Sequence, residues 1–136
     1  MDAKELVLSY YEQVWKQGDE DAIDAILAAD HVDETPPPGF DGTRESQKQI
    51  AAMMRESSKE KTMEVIDVLV DGQRVSGVWR MSWTQVGDLW GMVPADGKSI
   101  ELHGIDYFVL DQGRIVRTRH VEDWLGVLLQ LGAFGG

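Results

Sequence analysis

The stretch SIELHGIDYFVLDQGRIVRTRHVED (99–123) predicts a β-hairpin with one buried face. Apolar or small residues alternate with polar ones along its first half, as in a half-buried strand. Asp106 is the only charge on the apolar face, so we expect its side chain to point inward. Pairing across the DQG turn places His120 opposite Asp106, give or take one residue, with Val116 and Thr118 on the same face.

Asp106 and His120 are therefore expected within hydrogen-bond reach of each other. Such a pair can be structural, since a buried polar group left unpaired costs about 1–3 kcal/mol. It can also be functional, because a polar pair inside an aromatic-lined hollow is where shifted pKa values become useful. Both interpretations stay open at this point.

Composition predicts one globular domain over residues 1–136, since 43% of the residues are hydrophobic. The net charge of -11 disfavours nucleic acid and anionic membranes as partners. The chain has no cysteine, no basic leader and no apolar run of membrane-spanning length, so we expect a cytoplasmic protein without a membrane segment.

Helical periodicity occupies the first part of the chain, and strand periodicity occupies the rest. The predicted order is a helix over 6–15 that ends at Gly18, a helix over 22–27 capped by Asp19, an extended piece over 31–35, a helix over 43–57, strands over 62–70 and 73–86, a connection over 91–97, the hairpin, and a short apolar helix or lid over 124–132. This order predicts an α+β domain whose curved antiparallel sheet wraps around the helices.

One face of the strand over 73–86 is rich in aromatic and apolar side chains, which indicates either core or a pocket wall. Its members are Val75, Trp79, Met81, Trp83 and Gln85.

Three stretches resemble the SnoaL-like polyketide cyclases of the nuclear-transport-factor-2-like superfamily: GDLWGMVPADGK (87–98), GRIV (113–116) and, most specifically, DWLGVLLQLG (123–132). The resemblance implies a cone-shaped α+β barrel with a deep pocket. It also implies closure of the last ring of an aromatic polyketide by intramolecular aldol condensation, without a metal or organic cofactor. Asp123 matches the family's acid before the terminal helix, where we expect it to cap that helix.

The resemblance also places site residues. The family's catalytic carboxylate falls at His120, and its pocket histidine falls at Asp106, so the pair is swapped. A second family histidine falls at Gln85, and a pocket aromatic falls at Trp15.

From these positions we derive an expected chemistry. His120 would act as the base, because its ordinary pKa is near neutrality. Asp106 would orient the imidazole, and Gln85 would polarise a substrate carbonyl. A metal site is not expected, because the three histidines lack ligand spacing. The side chains expected to bind the substrate are those of Gln85, Trp15, Trp79, Trp83 and Phe108, with Glu34 and Asp33 near the pocket mouth.

Two classes of function remain. The first is a cofactor-independent enzyme acting on a largely apolar or aromatic carbonyl compound, with cyclase favoured over isomerase, dehydratase or epoxide hydrolase. The second is a small-molecule-binding accessory protein. Because His103, Ile105, Tyr107 and Val109 form a rather apolar outer face, we also expect a homodimer or higher oligomer.

Overall fold

The computed structural model describes residues 1–88 and 97–132. Over these residues the elements are α1 (Ala3–Tyr10), a π-helical turn (Tyr11–Lys16), α2 (Ala22–Ile26), β1 (Leu27–Asp33), α3 (Arg44–Ser57), β2 (Ser58–Asp71), β3 (Arg74–Gln85), β4 (Ser99–Asp111), β5 (Arg114–Glu122) and α4 (Trp124–Gln130). The α+β class is confirmed. The connection predicted over 91–97 falls, except for Gly97, outside the described residues.

The first helix carries a buried stripe that includes two consecutive tyrosines, Tyr10 and Tyr11. It begins at Asp2, whose carboxylate accepts a hydrogen bond from the Glu5 amide at 2.8 Å. At Tyr11 the helix widens into the π-helical turn, which the sequence did not indicate. It ends at Gly18 as predicted, with a left-handed φ of 74°.

The second helix begins later than predicted. Its first residue is Ala22, and Asp21 occupies the cap position without a side-chain hydrogen bond. Asp19 instead accepts a hydrogen bond from the Asp21 amide and so shapes the turn before the helix. The third helix starts after Thr43, whose hydroxyl accepts a hydrogen bond from the Ser46 amide.

The five described strands form one sheet in the order β1-β5-β4-β3-β2. All neighbours are antiparallel except β1, which runs parallel to β5. A tight turn forces antiparallel pairing, but β1 enters the sheet directly from α2 and no hairpin joins it to β5. The AspGly turn predicted between β2 and β3 is present, with Gly72 at a φ of 59°.

The β4–β5 hairpin sets the register of the site, and Asp106 lies directly opposite His120 as predicted. Closer to the turn a bulge shifts the pairing, so that Leu110 faces Ile115. For this reason Ile115 is fully buried while Val116, which was expected to face inward, is only half-buried.

The inner face of the sheet packs on α1 and α4, and the buried side chains between the layers form the hydrophobic core. The row predicted on β3 is buried throughout. No helix in the described ranges is long and apolar enough to cross a membrane.

The terminal helix depends on Asp123, whose carboxylate accepts a hydrogen bond from the Gly126 amide at 2.8 Å and caps α4 as predicted. Asp123→Ala should lower the free energy of unfolding by about 1 kcal/mol in urea titrations. Asp123→Asn is the matched control, because asparagine caps helices as well as aspartate does. Equal losses in both variants would contradict this role.

Candidate active site

A cavity of about 380 Å³ lies between the helices and the inner face of the sheet. Most of its wall is apolar. Its aromatic lining consists of Tyr10, Tyr11, Trp15, Trp79, Phe108 and Trp124. The polar side chains that reach it include Asp33, Asp106, His120 and Glu122. Such a shape, apolar with a few converging polar groups, is typical of small-molecule sites.

Asp106 is held by two donors from different elements. The Tyr11 hydroxyl donates to Asp106 Oδ2 at 2.6 Å, and the Trp79 indole N–H donates to the same oxygen at 2.8 Å. The other oxygen, Oδ1, accepts no hydrogen bond from any described residue. Because Asp106 lines the cavity, Oδ1 is left for a bound molecule.

Burial controls the charge of Asp106. It raises the pKa of the carboxyl group to about 7, although the hydrogen bonds from Tyr11 and Trp79 act in the opposite direction. Burial and the nearby charge of Asp106 raise the pKa of Tyr11 far above its ordinary value, so its hydroxyl remains a donor. Near neutral pH the carboxyl group of Asp106 is therefore divided between its two forms.

His120 belongs to a separate charged cluster with Asp33 and Glu122. Its Nε2 lies 2.7 Å from Asp33 Oδ2, and its Nδ1 lies 2.7 Å from Glu122 Oε2. Burial disfavours the charged ring, but hydrogen bonds to the two carboxylates and their charges outweigh this and raise the pKa of His120 to about 10. At neutral pH the ring is an imidazolium whose two N–H groups both point at carboxylates.

Asp33 anchors this cluster to the rest of the fold. Its Oδ1 accepts a hydrogen bond from the Thr35 amide at 2.9 Å, and its Oδ2 accepts one from the Gln47 side chain at 2.9 Å. Burial opposes its ionisation, yet the hydrogen bonds from His120, Thr35 and Gln47 hold the pKa of Asp33 below its usual range. Both carboxylate oxygens of Asp33 therefore accept hydrogen bonds.

The expected hydrogen bond between Asp106 and His120 is not formed, and that prediction was wrong. The two residues face each other in the ladder and both line the cavity with Trp79, as predicted. Each side chain nevertheless turns to other partners. Asp106 binds donors from the first helix and β3, whereas His120 turns to the carboxylate at the end of β1.

The predicted binding residues divide into two groups. Trp15, Trp79 and Phe108 line the cavity as expected. Trp83 does not: it is buried behind Trp124, with ring centroids 6.2 Å apart. Trp83 therefore supports the cavity wall from behind and does not line the cavity itself.

Gln85 and Glu34 also lie away from the cavity. Gln85 is fully buried, accepts a hydrogen bond from the Trp83 indole at 2.8 Å and donates one to the Gly87 carbonyl, so it cannot reach a substrate carbonyl. Glu34 forms ion pairs with Arg117 and Arg119 on β5. Neither side chain lines the cavity as predicted, and each instead forms hydrogen bonds or ion pairs with nearby residues.

Tyr11 and Glu122 also belong to the site, although neither was predicted from the sequence. Glu122 could have been found, because it lies two residues after His120 and so shares its face of β5. Tyr11 carried no such signal. It looked like one more apolar residue of an amphipathic helix, and only the packing of that helix on β3 and β4 brings its hydroxyl to Asp106.

The chain as a whole is similar to a known protein family. The family model described as SnoaL-like polyketide cyclase matches residues 5–131. No curated protein sequence matches the chain.

Several solved structures share the fold. TsrD from Streptomyces laurentii is 24% identical, with a TM-score of 0.81 over 96% of this chain and 92% of its own. IdmH from Streptomyces antibioticus, a candidate polyketide cyclase, is 24% identical, with a TM-score of 0.82 over 97% of this chain and 99% of its own. AclR from Streptomyces galilaeus, a candidate hydroxylase, is 18% identical, with a TM-score of 0.83 over 96% of each chain.

The His120 cluster makes a prediction about stability and pH. The folded pKa of about 10 lies above the ordinary 6.5, so the stabilisation is complete below about pH 6.5 and is lost as the pH rises through 10. His120→Gln should therefore lower the free energy of unfolding by roughly 3 kcal/mol at pH 6. In urea titrations this deficit should shrink toward pH 10.

His103→Gln is the matched control for this experiment. His103 lies on β4 with about half of its side chain exposed. Because its ion pair with Glu101 is exposed, its replacement should change stability little. A His120→Gln deficit that does not vary between pH 6 and pH 10 would contradict the charged cluster.

Proposed function

Because this chain belongs to the SnoaL-like polyketide cyclase family, we propose that it catalyses a cofactor-independent, aldol-type cyclisation within an aromatic, polyketide-like carbonyl substrate. The observation that carries this proposal is the Asp106 carboxyl group, which is buried in an aromatic cavity, has a pKa of about 7 and keeps one oxygen free. A group that titrates near the working pH serves well both as base and as acid.

In the proposed reaction Asp106 Oδ1 removes a proton from the carbon next to a carbonyl group. The resulting enolate carbon forms a bond to a second carbonyl carbon of the same molecule, and that carbonyl's π electrons move onto its oxygen. Protonated Asp106 then returns its proton to this oxygen. The product is an isomer of the substrate, and the carboxylate is regenerated.

The roles assigned to the pair from the sequence are thereby reversed. A base needs a free lone pair, but both ring nitrogens of His120 are directed at carboxylates, Asp33 and Glu122. We assign His120 a positioning role: its positive charge offsets two acids that line the cavity and fixes that part of the wall. Asp106 takes the role of base.

The cavity wall suggests the ligand class. Trp15, Trp79 and Phe108 offer flat apolar surfaces, and a volume of about 380 Å³ is sufficient for a small fused-ring compound. No lysine or arginine is among the described lining residues. These features support a largely apolar aromatic ligand that carries carbonyl groups.

The proposed base can be tested before the natural substrate is known. The test compound is 2-tetralone, an aromatic ketone with α-protons. NMR in D₂O follows the exchange of these protons for deuterium, which measures proton removal without the later steps. Asp106→Asn should slow the enzyme-dependent exchange by about 10² to 10⁴-fold, because the amide cannot accept the proton. The wild-type rate should rise through about pH 7, since only ionised Asp106 is active.

Asp111→Asn is the control, an identical change at the exposed end of the same strand, and it should keep the wild-type rate. Unaltered exchange in folded Asp106→Asn would end the catalytic proposal. Tight binding of aromatic ketones without exchange in the wild type would instead favour the accessory binding protein.

We further propose that the protein forms a homodimer through the outer face of its sheet. Ile105 and Val121 are directly paired and largely exposed, and Tyr107 is exposed beside them. Light scattering at micromolar concentration should give the dimer mass, and Ile105→Lys should give the monomer mass. Leu129→Lys, at an exposed apolar position on α4, is the control. A wild-type monomer would reject the proposal.

A further inference from the structure

Two glycines flank Asp106 on the inner face of the sheet. Gly77 lies directly opposite Asp106 across the β3–β4 ladder, and Gly104 lies two residues before Asp106, opposite Trp79. We infer that Gly77 and Gly104 are positioning residues for the proposed reaction, because each leaves the space for a side chain that donates to Asp106 Oδ2. This inference rests on the function proposed for Asp106.

At position 77 the space is filled by Tyr11. A Cβ atom on Gly77 would overlap the Tyr11 hydroxyl oxygen and would come within 2.9 Å of two ring carbons. Tyr11 is 1% exposed and its ring packs 6.1 Å from that of Phe108, so its hydroxyl could give way only by leaving its present position beside Asp106. Any side chain at position 77 therefore pushes against the donor of the 2.6 Å hydrogen bond to Asp106.

At position 104 the space is filled by Trp79. A Cβ atom on Gly104 would overlap the indole ring. Trp79 is also buried, and its N–H points at Asp106 Oδ2. The indole occupies the space beside Gly104, and from there a residue on β3 reaches a carboxylate on β4.

Backbone conformation does not explain these glycines. Neither Gly77 nor Gly104 has a positive φ, unlike the turn glycines Gly72 and Gly113. Alanine could adopt the strand backbone at both positions, so the requirement for glycine comes from space alone. Both spaces admit a donor to the same atom, Asp106 Oδ2, and Oδ1 accepts no hydrogen bond from any described residue.

Other titratable groups surround Asp106 and must be held constant in a test. His120 and Glu122 face it from β5, Tyr10 from the first helix and Asp33 from β1. None of them is changed by substitutions at position 77 or 11. A change in the titration of Asp106 in those variants therefore reports on the Tyr11 hydrogen bond.

The test compares Gly77→Ala, Tyr11→Phe and the double variant. The readout is the pH titration of the Asp106 carboxyl carbon by ¹³C NMR, assigned by its loss in Asp106→Asn. Loss of a donor to the carboxylate favours the protonated form, so each single variant should move the midpoint upward by about one pH unit. The double variant should move it no further, because both changes remove the same hydrogen bond.

Stability gives an independent readout if Gly77→Ala folds poorly. Removing the hydroxyl relieves most of the overlap, so the double variant should melt at a higher temperature than Gly77→Ala alone. Gly87→Ala is the control: its φ is also not positive, its added Cβ would approach Ser57 instead of the cavity, and the Asp106 midpoint should stay in place.

An unchanged midpoint in folded Gly77→Ala would overturn the inference, and so would a double variant that is no more stable than Gly77→Ala. The titration needs no substrate, so its failure is distinct from failure of the proposed function. A protein that titrates as expected but does not exchange α-protons supports the positioning role and rejects the reaction.

Discussion

A carboxyl group buried beneath aromatic side chains governs this structure. Asp106 needs donors, and the two that reach it come from the first helix and from β3. These two hydrogen bonds form only when the first helix packs on the sheet with Tyr11 beside Asp106, and when β3 and β4 pair in the observed register. Because burial disfavours the charge more than two hydrogen bonds favour it, the carboxyl group titrates near neutrality. The same arrangement thus provides both the packing and the near-neutral pKa on which the proposed reaction depends.

The cavity keeps its ionisable groups in two separate systems. His120 is bound by Asp33 and Glu122, so its proton is held well beyond neutral pH. Asp106 has only neutral donors, which offset the effect of burial only in part, so its pKa stays near neutrality. Had Asp106 bonded directly to the imidazolium, its charged form would have been favoured and its value as a base reduced. This separation therefore suits Asp106 to the proposed role of base.

The fold by itself does not choose the chemistry. Structures with TM-scores above 0.8 include a candidate cyclase, IdmH, and a candidate hydroxylase, AclR. What differs between such proteins must lie in the side chains that line the cavity. Among the described lining residues few groups have acid–base chemistry, and Asp106 Oδ1, which accepts no hydrogen bond from them, is open to a carbonyl compound. This observation directs the proposal toward proton transfer at carbon.

The sequence by itself determined the α+β class, the hairpin register that sets Asp106 opposite His120, the Gly18 stop and the Asp123 cap, because alternation, turn residues and caps act over short distances. Partners distant in the chain could not be predicted. The Tyr11 donor lies 95 residues from Asp106, and Asp33 lies 87 residues from His120. Strand register fixes which residues face each other, but the direction in which each side chain turns depends on the partners that the other elements bring near it. Tertiary packing alone decided the directions of the Asp106 and His120 side chains, and therefore which of the two residues is proposed as the base.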